Sequence, residues 1–181
     1  MKLVETGLPE VKIVEPDVHK DDRGFFFESW NAAVFAEAGI AERFVQDNHS
    51  HSARYVLRGL HYQIERPQGK LVRVTAGRAF DVAVDIRRSS PRFGQWTGVE
   101  LSAENRRMLW VPPGFAHAFL VLEDGTDFLY KCTEFRAAEH ERIIHWADPA
   151  IGIDWPLYGA APLLSDKDRA APLLAAADVY A

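Results

Sequence analysis

Residues 46–73 concentrate side chains that could grip an anion and move protons. Gln46-Asp47-Asn48-His49, Arg54, Arg58, His61, Gln63, Arg66, Gln68, Lys70 and Arg73 all fall in this stretch. A charged stretch is ordinarily one solvated face of a strand. Here Arg58-Gly59-Leu60-His61 sets an arginine, a flexible glycine and a histidine within one strand, and several cations on short strands suit a phosphate-like ligand. Histidine, with an unperturbed pKa of about 6.5, is the usual general base near neutral pH.

Other candidates lie outside that stretch. His49 and His51 form an H-x-H pair, which puts both on one face of a strand. Pro112-Pro113-Gly114-Phe115-Ala116-His117 matches the second cupin signature, P-x-G-x-x-H. A metal-dependent cupin would use such histidines as ligands. The first cupin signature, however, needs a glutamate a few residues after H-x-H, and Arg54-Tyr55-Val56 stands there instead. His19, His140 and His145 read as surface or structural. Tyr130 is either a core tyrosine or a proton donor, since a neutral phenol can protonate a carbanion. Ser165-Asp166-Lys167-Asp168 reads as a helix cap.

These residues need a scaffold, and the sequence reads as all-β. Phe80, Val82, Val84 and Ile86 alternate with Asp81, Ala83 and Asp85, so one face of that strand is apolar. Leu71–Thr75 is its expected partner through the turn Ala76-Gly77-Arg78. Further strands are expected at Gly24–Trp30, Arg43–His49, Tyr55–His61, Trp96–Leu101, Arg107–Val111, Ala118–Leu122, Phe128–Cys132 and Ile143–Trp146. Prolines and glycines punctuate them. Asn31–Ala38 is the expected helix, capped by Asn31 and stopped by Gly39. The alanine-rich tail after Pro162 has helical composition. About ten short strands and few helices fit a jelly roll or β-sandwich.

The chain's 181 residues read as one domain, 1–181. Its formal net charge of −5 argues against broad binding to nucleic acid or to an anionic membrane, but not against a local basic pocket. The single cysteine, Cys132, excludes an internal disulfide framework and a multi-cysteine zinc site. There is no long apolar run and no secretory leader pattern, so a soluble, cytoplasmic protein is expected.

Taken together the motifs resemble the dTDP-4-dehydrorhamnose 3,5-epimerase family. The stretches that match are Asp22-Arg23-Gly24-Phe25-Phe26-Phe27-Glu28, Gln46-Asp47-Asn48, Leu57-Arg58-Gly59-Leu60-His61-Tyr62-Gln63 and Gln68-Gly69-Lys70. They continue with Asp81-Val82-Ala83-Val84-Asp85-Ile86-Arg87, Pro113-Gly114-Phe115-Ala116-His117, Asp154-Trp155-Pro156 and Ser165-Asp166-Lys167-Asp168. Each motif is weak alone, but the ordered set spans nearly the whole chain. One departure is Ala118, where the family usually has glycine; its extra methyl is expected to narrow the pocket slightly.

The resemblance implies a cupin-type jelly roll (a double-stranded β-helix) with short flanking helices, a homodimer, no metal and no cofactor. It implies a dTDP-4-dehydro-6-deoxy-glucose substrate on the route to dTDP-L-rhamnose. By matching position, His61 corresponds to the general base, Tyr130 to the acid on the other face, Asp168 to the carboxylate paired with His61, and Lys70 to the group facing the ketone oxygen. Arg23, Glu28, Gln46, Asn48, Arg58, His117, Glu141 and Lys167 correspond to substrate contacts, chiefly around the diphosphate. Two consequences are open to structural test. Arg58 and His61, three positions apart, share a pocket only if the strand bulges at Gly59. The run Phe25-Phe26-Phe27 must expose an aromatic, which a partner subunit or a nucleotide base would cover. Three readings remain open at this point: an epimerase acting at one or two centres, a metal-dependent oxygenase using His49, His51 and His117, and a non-catalytic sugar-binding cupin.

Overall fold

A computed structural model describes residues 1–181. Along the chain run β1 (Lys2–Glu5), β2 (Lys12–Glu15), β3 (His19–Asp21), β4 (Gly24–Phe26), α1 (Ala32–Glu37), β5 (Gln46–Ser52), β6 (Leu57–Gln63), β7 (Lys70–Ala76) and β8 (Arg78–Asp85). They are followed by β9 (Trp96–Ser102), β10 (Met108–Val111), β11 (Phe115–Val121), β12 (Thr126–Cys132), β13 (Glu141–Ile143) and α2 (Asp166–Arg169). One sheet has the order β1-β2-β10-β7-β12-β5 and the second β13-β6-β11-β8-β9. The named strands pair antiparallel throughout. This is the expected all-β jelly roll with short flanking helices.

The inner faces of the two sheets make the main core. Val72, Val74, Leu109 and Phe128 of the first sheet meet Ala83, Leu101, Phe119 and Val121 of the second. Two segments cover the outer faces. Helix α1 and its flanks lay Phe35 and Ile40 over Leu71, Met108 and Trp110. The C-terminal segment lays Ile144, Ile151 and Leu174 over Leu60, Val82 and Val84. Burying each of these large side chains stabilises by about 1.5–3 kcal/mol.

The expected pairing of Leu71–Thr75 with the next strand does not occur, since β7 pairs with β10 and β12 in one sheet and β8 with β11 and β9 in the other. Several expected boundaries shift as well. The strand from Gly24 ends at Phe26, because Phe27 and Trp30 turn inward to pack beneath α1. β5 starts three residues later than expected and β13 two residues earlier. β1, β2 and β3 have no counterpart among the expected strands. They are short and charge-flanked, and β2 is fixed by pairing with β10, distant in sequence. The alanine-rich tail forms only the single turn of α2 and a 3-10 turn at Leu174–Ala176, because its residues dock on the second sheet. Asn31 caps α1 as expected, its Oδ1 accepting from Ala33 N at 3.1 Å.

The bulge at Gly59 is present. His117 lies opposite His61 and Phe119 opposite Arg58, so β6 spends three residues where β11 spends two. Gly59 has φ +121°, and a Cβ there would sit 2.5 Å from both the Ala118 Cβ and the His117 carbonyl. Gly59→Ala is therefore expected to cost at least about 2 kcal/mol, read as a fall in thermal midpoint, with a larger loss of activity. An unchanged midpoint would refute this account of the bulge. The Ala118 methyl does not narrow the pocket, contrary to expectation. It packs in the outer cluster with Leu60 and Val82, where the missing side chain of Gly59 leaves it room.

Candidate active site

Part of the 46–73 stretch converges because β5, β6 and β7 open onto one mouth of the sandwich, while Asp47, His49 and Arg73 line a separate groove. Gln46, Asn48, Arg58, His61, Lys70, Tyr130, Glu141 and Lys167 line a single cleft of about 290 Å³. Five cationic side chains line it, Arg58, Lys70, Arg136, Arg142 and Lys167, against one carboxylate, Glu141. An acidic protein thus carries a local pocket for an anion.

His61 stands on β6 with its neighbours fixed on both sides, His117 on β11 and Ile143 on β13. Its Nε2 meets Asp168 Oδ1 at 2.6 Å. Asp168 is 2% exposed and is itself oriented: Ser165 caps α2 by accepting from Asp168 N at 3.2 Å, and its hydroxyl donates to Asp168 Oδ2 at 2.6 Å. The Ser165 cap read from the sequence therefore doubles as the mount of the dyad. Burial alone would raise the Asp168 pKa, but the bonds from His61 and Ser165 outweigh it and hold the carboxyl below its ordinary value. With Nε2–H given to Asp168, the free lone pair of a neutral His61 is on Nδ1, the atom available to take a proton.

A carboxylate partner raises a histidine's pKa, and Asp168 does so for His61. Burial proves the larger influence and lowers it, with Asp168 opposing. Activity that needs neutral imidazole should fall with decreasing pH only below about 6.5. Asp168→Asn removes the opposing carboxylate, so the acidic limb of kcat/KM should move further down in pH while the rate drops by about 10²-fold or more. An unshifted limb would remove Asp168 from this role.

Across the cleft, Tyr130 on β12 packs beside Phe128, with ring centroids 6.2 Å apart. Burial raises its phenol pKa, so it stays protonated. Lys70 is 8% exposed, and its Nζ lies 3.5 Å from the His61 carbonyl. Its neighbour in register is Cys132, which also accepts from Asn48 Nδ2 at 3.4 Å. Gln46 donates to Asn48 Oδ1 at 3.0 Å, and its own Oε1 accepts from Arg136 N at 3.0 Å.

Three sequence-derived site residues stand apart from this cleft. His117 is 5% exposed inside the sandwich, with Nε2 at 3.0 Å from both oxygens of Asp81. Arg23 sits at the turn of the exposed β3–β4 hairpin, its Nε 3.1 Å from Asp21 Oδ2. Glu28 accepts from Asn31 Nδ2 at 3.0 Å. His49 and His51 face outward onto Asp127, at 3.1 and 2.8 Å, so they do not converge with His117 as a metal site would require. Gln63 is structural: its Oε1 accepts from Ala137 N and its Nε2 donates to the Arg66 carbonyl. Arg136 and Arg142 are cleft residues that sequence reasoning missed, because in a loop and at a sheet edge they read as ordinary surface charge. Arg136 Nε donates to Glu141 Oε1 at 2.6 Å.

A jelly roll that sets a carboxylate-backed histidine across from a half-buried tyrosine, at a cation-rich cleft, is built for proton transfer on an anionic substrate. Comparison with known proteins narrows the class. The family model for dTDP-4-dehydrorhamnose 3,5-epimerase matches residues 5–176, and the chain belongs to that family. A curated epimerase of this name from Pseudomonas aeruginosa is 60% identical, over 99% of each chain. The crystal structure of a Legionella pneumophila dTDP-6-deoxy-D-glucose-3,5-epimerase in complex with dTDP-4-keto-L-rhamnose superimposes with a TM-score of 0.95 at 55% identity, covering 98% of this chain and 94% of that one. A 3′-monoepimerase from Streptomyces bikiniensis in complex with dTDP-quinovose gives 0.88 at 35% identity, covering 94% and 87%.

Proposed function

We propose that this chain inverts C3 and C5 of dTDP-4-dehydro-6-deoxy-D-glucose, with His61 and Tyr130 as the proton-transfer pair. Each inversion removes a proton from a carbon beside the C4 ketone. The C–H electron pair moves into an enolate, and a proton then arrives from the opposite face. His61 Nδ1 takes the proton, and Asp168 stabilises the imidazolium. Lys70 faces the ketone oxygen, where negative charge develops. Tyr130 donates its phenol proton to the carbon, and solvent then reprotonates the phenolate and removes the proton from His61, which resets the pair for the second centre. Electrons neither leave nor enter the sugar, so the reaction needs no redox cofactor. The observation that carries this reading is that His61 and Tyr130, from different sheets, line one cleft.

Arg58 and Lys167 bind the diphosphate in this reading, supported by their lining the same cleft as Gln46, Asn48 and Glu141. Arg23 and Glu28 act from a second copy of the chain. Supporting this, the β3–β4 hairpin is exposed throughout, and Phe25 and Phe26 are 56% and 68% exposed, as the triple phenylalanine implied. The protein should then sediment as a dimer at working concentration; an active monomer would overturn that assignment. The reaction itself is tested by incubating enzyme and substrate in heavy water. Deuterium is expected at both C3 and C5. Label at C3 alone would make the protein a single-centre epimerase, and no label would refute the reading.

A further inference from the structure

The inner face of β8 carries a carboxylate that the proton-transfer mechanism leaves unused. Asp81 is 0% exposed and borders the main apolar core, sharing its face of β8 with Ala79 and Ala83. His117 is its only hydrogen-bond partner, with Nε2 3.0 Å from each oxygen. An ionised carboxylate in such a place is costly, and an apolar residue of similar size would pack there at less cost. Its position is informative. His117 lies directly opposite His61 in register, and the carbonyl of His61 is the hydrogen-bond acceptor of the Lys70 ammonium, at 3.5 Å. Lys70, His61, His117 and Asp81 thus form a contiguous row beneath the cleft.

Lys70 needs a counter-charge. Burial pushes it towards the neutral amine, and a neutral amine could not stabilise an enolate oxygen. Around it are Cys132, its partner in register on β12, Glu141 of β13 and the His61 ring in the same cleft, the His61 carbonyl and, at the far end of the row, Asp81 of β8. Burial raises the Cys132 thiol, so it carries no charge. Glu141 is taken by Arg136. Asp81 has no arginine or lysine within ion-pairing distance, and its one bonded partner is an imidazole.

We propose that Asp81 is a positioning residue whose buried carboxylate, anchored by His117 behind the catalytic base, keeps the Lys70 ammonium charged while the cleft is empty. This rests on the proposed role of Lys70 at the ketone oxygen. Burial raises the Asp81 pKa, while His117 and Lys70 oppose it, so Asp81 and Lys70 stabilise each other's charged forms.

The test is the pH profile of kcat/KM for Asp81→Asn, which keeps the shape and can still accept from His117. The basic limb should move down by about one pH unit, while the acidic limb set by His61 stays in place. A uniform loss of rate at every pH, with no shift, would mean that Asp81 serves packing alone and would overturn the proposal. Lys70→Met separates the two layers. If it retains the wild-type rate, the role of Lys70 fails and the proposal with it; if it is impaired while Asp81→Asn shows no shift, only the proposal fails. Should Asp81→Asn not fold, the wild-type enzyme decides. The Asp81 carboxyl carbon in a carbon-13 NMR titration is expected to report an ionised group across the working pH range, and a protonated group there would overturn the proposal.

Discussion

Tyr130→Phe is expected to exchange substrate hydrogen with heavy water and yet to invert almost none of it. A base on one face can remove a proton and return one from solvent to that same face. That cycle labels the carbon without changing its configuration. Inversion requires a donor on the opposite face, and Tyr130 is the half-buried, protonated phenol on the facing wall of the cleft. The substitution removes only the hydroxyl. The ring keeps its packing beside Phe128, so the fold and the His61–Asp168 dyad should be undisturbed. Exchange at C3 and C5 should therefore continue while inversion falls by about 10²-fold or more, the usual scale for losing a general acid. The measurement is deuterium incorporation by mass spectrometry beside product stereochemistry by NMR. Normal inversion by Tyr130→Phe would remove the tyrosine from the mechanism.

The parts of this site that could be read from the sequence, and the parts that could not, divide along physical lines. His61, Lys70 and Arg58 lie on consecutive strands whose pattern is local, so their clustering shows in the sequence. The bulge at Gly59 could be deduced, because a three-residue spacing needs one to bring two side chains to a single face. β8 misleads. Its alternation marks one apolar face, but the other face, Asp81, Ala83 and Asp85, is buried as well. The polar face lines the inside of the sandwich near the cleft, and the Phe80, Val82 and Val84 face lies under the C-terminal segment. Alternation reports that the two faces differ, not which one meets water. His117 fails for a related reason. A histidine in a cupin signature suggests a ligand contact, but its environment is set by Asp81 on the next strand. Asp168 is the converse case. Its local sequence says only helix cap, and its partnership with His61 is a contact spanning 107 residues that no spacing rule reveals.

His61→Ala should abolish exchange and inversion together, by at least about 10³-fold, because every route to the enolate begins with a proton leaving carbon. No other side chain lining the cleft can replace it. Tyr130 is held protonated by burial, Lys70 acts as a cation in the proposed mechanism, and Glu141 is tied to Arg136. The alanine variant has a structural consequence as well. It leaves Asp168, 2% exposed, with Ser165 as its only remaining side-chain partner, and an unpaired buried carboxylate destabilises the fold around α2. His61→Asn controls for this, since its amide can still donate to a carboxylate but has no basic nitrogen. Both variants should be inactive in heavy water, with the asparagine variant melting closer to wild type. Such a pair assigns the lost activity to the base rather than to a collapsed site. Deuterium entering the substrate at an undiminished rate in either variant would mean that another group removes the proton, and that His61 and Asp168 are not the catalytic dyad.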